Sequence, residues 1–245
     1  MRRIVLVENK IVQESNDKGV ILFSESFPGA FTRAAELDEA LRKFEPEIQS
    51  YCKWADIPYD GKLENVIIQT STTNLAVEDA DTEVIFHSEL KPLQRGAYGK
   101  LKSLVLKSAE DFQSLYDSIP YKDETNLPER ATFYGKRPRT AREMYDHVCR
   151  VNKYYFAQIG IDINDYPDIL AGRLQGFWIL ENKGGFLTNN VFTDSSGEQW
   201  TLSKMLRRFL WHDRIHAKAM YRMAAKIWPN RIINPFRFAV EQHQS

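Results

Sequence analysis

Five histidines occur in this chain of 245 residues, and three of them share a pattern suited to one metal ion. His212 and His216 stand four apart in Trp211-His212-Asp213-Arg214-Ile215-His216. Residues four apart on a helix lie on one face, so both imidazoles can point at one ion. The apolar stripe of that segment runs Leu202, Met205, Leu206, Phe209, Met220, Met223, Ile227, and both histidines fall on it, between Phe209 and Met220. His147 repeats the pattern on an earlier helical segment, between Met144 and Val151. Interior imidazoles need partners, because a buried polar group without one is costly. A single metal ion would satisfy all three.

Three neutral imidazoles leave the charge of a divalent ion uncompensated and at least one coordination position open. Such an ion lowers the pKa of bound water or thiol and polarises a carbonyl or leaving group. Histidine-only ligation suits Zn, Ni, Mn or Fe without choosing among them. No further side chain in the pattern stands out as a general base, so the catalytic residues are not assigned from the sequence.

The neighbours of these histidines have plainer readings. Asp146 and Asp213 each adjoin a ligand in sequence, so they point about 100° away from it. They are expected at the rim of the site or in solvent. Glu143 lies one turn before His147, but Thr140-Ala141-Arg142-Glu143 is a capping box that gives it another partner. Tyr154 and Tyr155 read as core or interface aromatics, and Cys52 and Cys149 as packing residues. His87 and His243 read as surface residues. Lys204, Arg207, Arg208, Arg214, Lys218, Arg222 and Lys226 read as a solvated helix face. The Trp and Phe residues around them, such as Phe177, Trp178, Trp200 and Trp211, read as core.

The elements that must position the histidines follow from periodicity and punctuation. Arg3–Glu8, Val20–Ser24, Val66–Thr70 and Glu83–Phe86 have strand composition. Phe27-Pro28-Gly29 signals a turn. Ala34–Ile57 reads as one helix. Beyond Tyr98 the pattern is helical: Lys100–Ile119, a helix opened by Thr140, Asp165–Asn182 and Thr201–Trp228, the last ended by Pro229. A polar connection, Tyr121–Arg139, and a loop or hairpin, Gly185–Gly197, separate them.

Composition bounds the function classes. The 33 basic and 33 acidic side chains cancel, which argues against whole-protein attraction to nucleic acid or an anionic membrane. The apolar run after Arg3 stops after four residues, too short for a signal peptide. No stretch nears the ~18 apolar residues of a membrane span. Two cysteines make no disulfide framework, so a reducing, cytoplasmic setting is expected. The expected partner is a small-molecule substrate, with a homodimer as the possible assembly and neither membrane nor nucleic acid.

Residues 98–240 resemble the DinB/YfiT-like family of metal-binding four-helix bundles. The likeness is carried by Gln199-Trp200-Thr201 leading into Arg207–His216, with its H-x-x-x-H, and by Thr140–Val151 around the third histidine. The resemblance implies a divalent metal held by His147, His212 and His216, and hydrolase or thiol S-transferase activity. A shorter likeness links Phe27-Pro28-Gly29-Ala30-Phe31-Thr32 and Leu37-Asp38-Glu39-Ala40-Leu41 to the HicB-like module. That family's Gly-Asp-Thr stretch is replaced here by Ala34-Ala35-Glu36, and no DNA-binding tail is visible. This likeness implies a small αβ fold, not antitoxin activity. The expected fold class is α+β, with a HicB-like αβ domain at 1–92 and a DinB-like four-helix bundle at 93–245. The alternative to a metal enzyme is a non-catalytic binding or regulatory protein that uses the HicB-like part for interaction.

Overall fold

The Pro-Gly turn organises the first part of the chain. In the computed structural model, which describes residues 6–132 and 135–239, the Ala30 N–H donates to the Phe27 carbonyl at 2.9 Å. Pro28 takes the second turn position, and Gly29 has φ 94° in the third, the left-handed position a type II turn requires. The turn joins β2 (Val20–Ser24) to a short antiparallel β3 (Phe31–Ala34), and β1 (Leu6–Ser15) pairs antiparallel with the other edge of β2. The long β4 (Lys62–Thr72) adds parallel to β1, giving the order β3-β2-β1-β4. Every residue of β2 is buried, as befits a central strand, whereas Val66, Ile67 and Ile68 of the edge strand β4 are exposed.

Two helices replace the single one expected over Ala34–Ile57. α1 spans Leu37–Arg42 and α2 spans Phe44–Trp54. Pro46 explains the break: it has no N–H to give the Arg42 carbonyl, and its ring would crowd that carbonyl in a continuous helix. Phe44, Ile48, Tyr51 and Trp54 of α2 are buried, as are Ile11, Ile21 and Phe23 of the sheet. The strand expected at Glu83–Phe86 is not one. There the Gln69 side chain takes the place of a partner strand, donating to the Ile85 carbonyl at 2.9 Å and accepting from the His87 N–H at 2.8 Å. The expected strand at Arg3–Glu8 starts partly outside the described residues and continues to Ser15.

The chain divides into two compact units. Among the described residues, one holds those up to Leu90 together with Arg237–Ala239, and the other runs from Lys91 to Phe236. Arg237–Ala239 thus belong with the sheet, where the Ser50 hydroxyl donates to the Arg237 carbonyl at 2.8 Å. The class is α+β.

Four helices form the second unit: α3 (Arg95–Asp117), α4 (Ala141–Ala157), α5 (Ile169–Glu181) and α6 (Leu202–Ile227). α6 packs on α3 and α4, and α5 packs on the same two. Their starts follow the sequence signals. The Glu143 N–H donates to Thr140 Oγ1 and Glu143 Oε2 accepts from the Thr140 N–H, both at 3.1 Å. Asp168 caps α5 and Thr201 caps α6 through their side-chain oxygens. Two short hairpins, β5 (Ala131–Thr132) with β6 (Gly135–Lys136) and β7 (Phe192–Thr193) with β8 (Gln199–Trp200), lie in the connections. Among the described residues no helix is long and apolar enough to cross a membrane.

α5 approaches α4 through its glycines. A Cβ on Gly176 would stand 2.2–2.5 Å from three ring carbons of Phe156. That ring is fully buried and packs edge-on against Phe177 and tilted against Phe209. Gly176→Ala would gain about 1 kcal/mol of helix propensity. Overpacking of about 1–3 kcal/mol opposes it, and the enclosed Phe156 places the cost at the upper end. A net loss of about 2 kcal/mol is expected from urea unfolding; an unchanged or higher midpoint would contradict the close α4–α5 contact.

Candidate metal centre

The three expected ligands come together. His147 lies two turns inside α4, and His212 and His216 occupy successive turns of α6 on the side that packs against α4. Their ligand nitrogens all lie within 4.8 Å of one another. His147 Nε2 and His212 Nε2 are 3.0 Å apart, near the about 3.4 Å that two nitrogens take when each lies about 2.0–2.1 Å from one tetrahedral ion. The ring centroids are 4.9, 4.7 and 4.4 Å apart for the pairs 147–212, 147–216 and 212–216. His212 is buried at 7% exposure, while His147 and His216 are half-buried.

The electrostatics keep these imidazoles neutral. Burial, followed by the Arg150 charge, pushes His147 down to about 4. Burial also holds His212 and His216 well below the usual histidine range. For His212 the next causes are the two other histidines, then Arg208 and Arg173; for His216 they are His147, then Arg137. A neutral imidazole is the form that ligates a metal. His212 Nδ1 is buried with no hydrogen-bond partner among the described residues. Nothing on that side of the ring competes with the orientation of Nε2 towards the other histidines. Donor type, separation and neutrality therefore fit a divalent cation.

Asp213 departs from its expected place at the rim or in solvent. It is fully buried and pairs with the equally buried Arg173 of α5 in a two-pronged bridge, Arg173 Nη1 to Asp213 Oδ2 and Nη2 to Oδ1, both 2.6 Å. The Ser108 hydroxyl of α3 donates to the same carboxylate at 2.6 Å. Arg173 Nη1 also donates to the Val105 carbonyl at 2.8 Å, and its Nε to Asn152 Oδ1 of α4 at 3.1 Å. Asn152 Nδ2 in turn donates to the Ile169 carbonyl at 2.9 Å. One side chain from each of the four helices enters this network, Ser108, Asn152, Arg173 and Asp213. Its sequence signal was Arg173 itself, a lone charge in Ile169–Leu180, a segment that is otherwise apolar but for Gln175 and has no polar face to receive it.

The other neighbours divide. Asp146 is exposed, Glu143 closes its capping box, and Tyr155 is buried with its ring centroid 5.9 Å from that of His212. Tyr154 is 48% exposed, not core. Cys149 is buried, its Sγ donating to the Pro167 carbonyl at 3.4 Å; burial pushes the thiol up to about 12, which keeps it inert. Cys52 is buried and raised for the same reason. His87 is exposed in a short 3-10 turn, and His243 lies outside the described residues.

The basic residues of α6 are not all a solvated face. Lys204, Arg207 and Arg214 are buried. Lys204 Nζ donates to the Gln199 carbonyl at 2.7 Å, meets Glu198 Oε1 at 2.8 Å and lies over the Trp200 ring; burial pushes it down to about 8. Arg208 sits one turn before His212, its guanidinium 4.8, 5.5 and 5.7 Å from the ring centroids of Trp211, Trp200 and Tyr155. No family model matches this chain, and neither the curated proteins nor the solved structures hold a significant match to it.

Proposed function

We propose that the chain is a divalent-metal-dependent enzyme of the DinB/YfiT-like type, a hydrolase or thiol S-transferase, with His147, His212 and His216 holding the ion. The supporting observation is the convergence of three neutral imidazoles within 4.8 Å, with no carboxylate or cysteine of the described residues in the cluster. An ion bound there would keep a position open for substrate and act as a Lewis acid on it. The chain's own contribution is to hold the imidazoles deprotonated, to orient them from two packed helices, and to leave His147 and His216 less buried than His212. On this reading the sheet unit is the HicB-like module and has an accessory role.

Purified protein is expected to carry or take up about one equivalent of Zn, Ni, Mn or Fe per chain. His147→Ala should weaken that binding by more than the about 10–100-fold typical of losing an outer-shell partner. Elemental analysis and competition titration read both. A wild type that binds none of the four metals would end the proposal. Chelator should shift the thermal transition modestly; its collapse would mark the ion as a structural staple instead.

A further inference from the structure

Arg173 is fully buried and holds both helices that carry the histidines. α5 and α6 each pack on α3 and α4, so a side chain that runs from α5 to α6 crosses the centre of the bundle. There Arg173 grips Asp213, the residue next to His212, through two bonds of 2.6 Å. Its guanidinium also lies 4.6 Å from the ring centroid of Phe209, which precedes His212 on the same helix. On α4 it donates at 3.1 Å to Asn152, which follows His147 on that helix. The Asn152 amide is fixed in turn by the Ile169 carbonyl at 2.9 Å, and it packs against Gly172, where a Cβ would stand 2.8 Å from Asn152 Nδ2.

These bonds fix how the two helices are turned. Asp213 lies about 100° round α6 from His212, and Asn152 about 140° round α4 from His147. Pinning both to one guanidinium sets which way the ligand-bearing faces look. Side-chain tips lie about 5–6 Å from a helix axis, so turning α6 by about 5° moves an imidazole nitrogen by about 0.5 Å. A metal–ligand distance tolerates only about 0.2 Å. Apolar packing alone does not hold a helix that closely, because hydrophobic cores lose uniqueness before they lose stability. A planar fork with two bonds to one carboxylate adds the missing geometric constraint.

We propose that Arg173 is a positioning residue for the three-histidine site: by tying Asp213 of α6 and Asn152 of α4 to one guanidinium, it sets the rotation at which His147, His212 and His216 reach a single ion. The inference rests on the metal reading above and adds the device that holds the ligands in register. Arg173 does not itself touch the ion. Its role is to make the site preformed, so that the ion does not have to order the two helices when it binds.

The test compares wild type, the double variant Arg173→Met with Asp213→Leu, and Asn152→Leu, all as the full chain. The double variant removes both charges together, so the net charge beside the site is unchanged and only the tie is lost. Asn152→Leu leaves the charge pair in place and cuts the link to α4. Zn affinity is read by competition titration, the visible bands of Co(II) report the ion's coordination, and circular dichroism gives the folded fraction. Each variant, where folded, should bind Zn about tenfold or more weaker than wild type. The Co(II) bands should weaken, because a displaced imidazole gives its place to water and the coordination number rises. A network that serves stability alone would lower the unfolding midpoint and leave the affinity and the bands of the folded protein unchanged. That result in a folded double variant would overturn the proposal; if the double variant does not fold, Asn152→Leu decides alone. A wild type that binds neither Zn nor Co(II) ends the metal reading and this inference with it. A wild type that binds, with variants that match it, ends this inference only.

Discussion

Asp213→Ala is expected to cost about 3–5 kcal/mol of stability, because it strands the buried Arg173 guanidinium without its counter-charge. Both side chains are fully buried, so water cannot replace the lost carboxylate. The substitution also takes the acceptor from the Ser108 hydroxyl. With total stabilities of about 5–15 kcal/mol typical of folded proteins, this is a large fraction. The double change Arg173→Met with Asp213→Leu removes both charges and should recover most of the loss, since a buried pair is often no better than apolar residues of similar volume. Recovery will be incomplete, because Asn152 Oδ1 and the Val105 carbonyl lose the donor that Arg173 gave them. Urea unfolding of the two single variants and the double closes the cycle. A loss below about 1 kcal/mol in Asp213→Ala would mean that the pair is solvated, as surface bridges are.

That network also marks the limit of what the sequence made legible. The three histidines could be read because the information is local: a spacing of four, a place on an apolar stripe, and a capping box that fixes where α4 begins. Asp213 could not. Its neighbour rule, about 100° round the helix from His212, was right. What lies at that angle depends on how α3 and α5 are rotated against α6, and no short-range pattern encodes this. The solvated reading of the α6 basic residues holds for Arg222 and Lys226 but not for Lys204, Arg207 and Arg214, for a related reason: a helix packed on more than one side has too little free surface for a whole charged face. Lys204 instead extends back along the chain to Glu198 and Gln199.

In the sheet unit the turn at Pro28-Gly29 was legible because glycine and proline dictate backbone angles directly. The four-residue strand after it was not, since Phe31–Ala34 is too short to show alternation. Pro46 was the overlooked signal in the helical stretch. Glu83–Phe86 has strand composition, yet its neighbouring hydrogen bonds run to side chains, Gln69 at the Ile85 carbonyl and the His87 N–H and Glu89 at the Phe86 N–H, a pairing that composition cannot distinguish from a ladder.

The acid stability of the metal-free protein should carry the mark of the histidine cluster. The three imidazoles have folded-state pKa values below the unfolded value near 6.5, about 4 in the case of His147. The folded state therefore binds fewer protons than the unfolded chain once the pH drops below about 6.5, and stability falls with pH. The contribution is complete above the unfolded pKa and is lost progressively down to the folded one. His147, held near 4, alone removes about 1 kcal/mol at one pH unit below 6.5, and His212 and His216, lowered for the same reason, add to the loss in the same direction. Carboxylates add little in this window, because their titration lies lower. Unfolding free energies of chelator-treated protein at pH 7.5 and 5.5 give the total, and His216→Leu should reduce it. Bound metal competes with protons for the same nitrogens, so stoichiometric Zn should hold the pH 7.5 stability further into acid. Equal stabilities at the two pH values in the metal-free protein would show that the imidazoles protonate freely in the fold, and the picture of a buried neutral cluster would have to be given up.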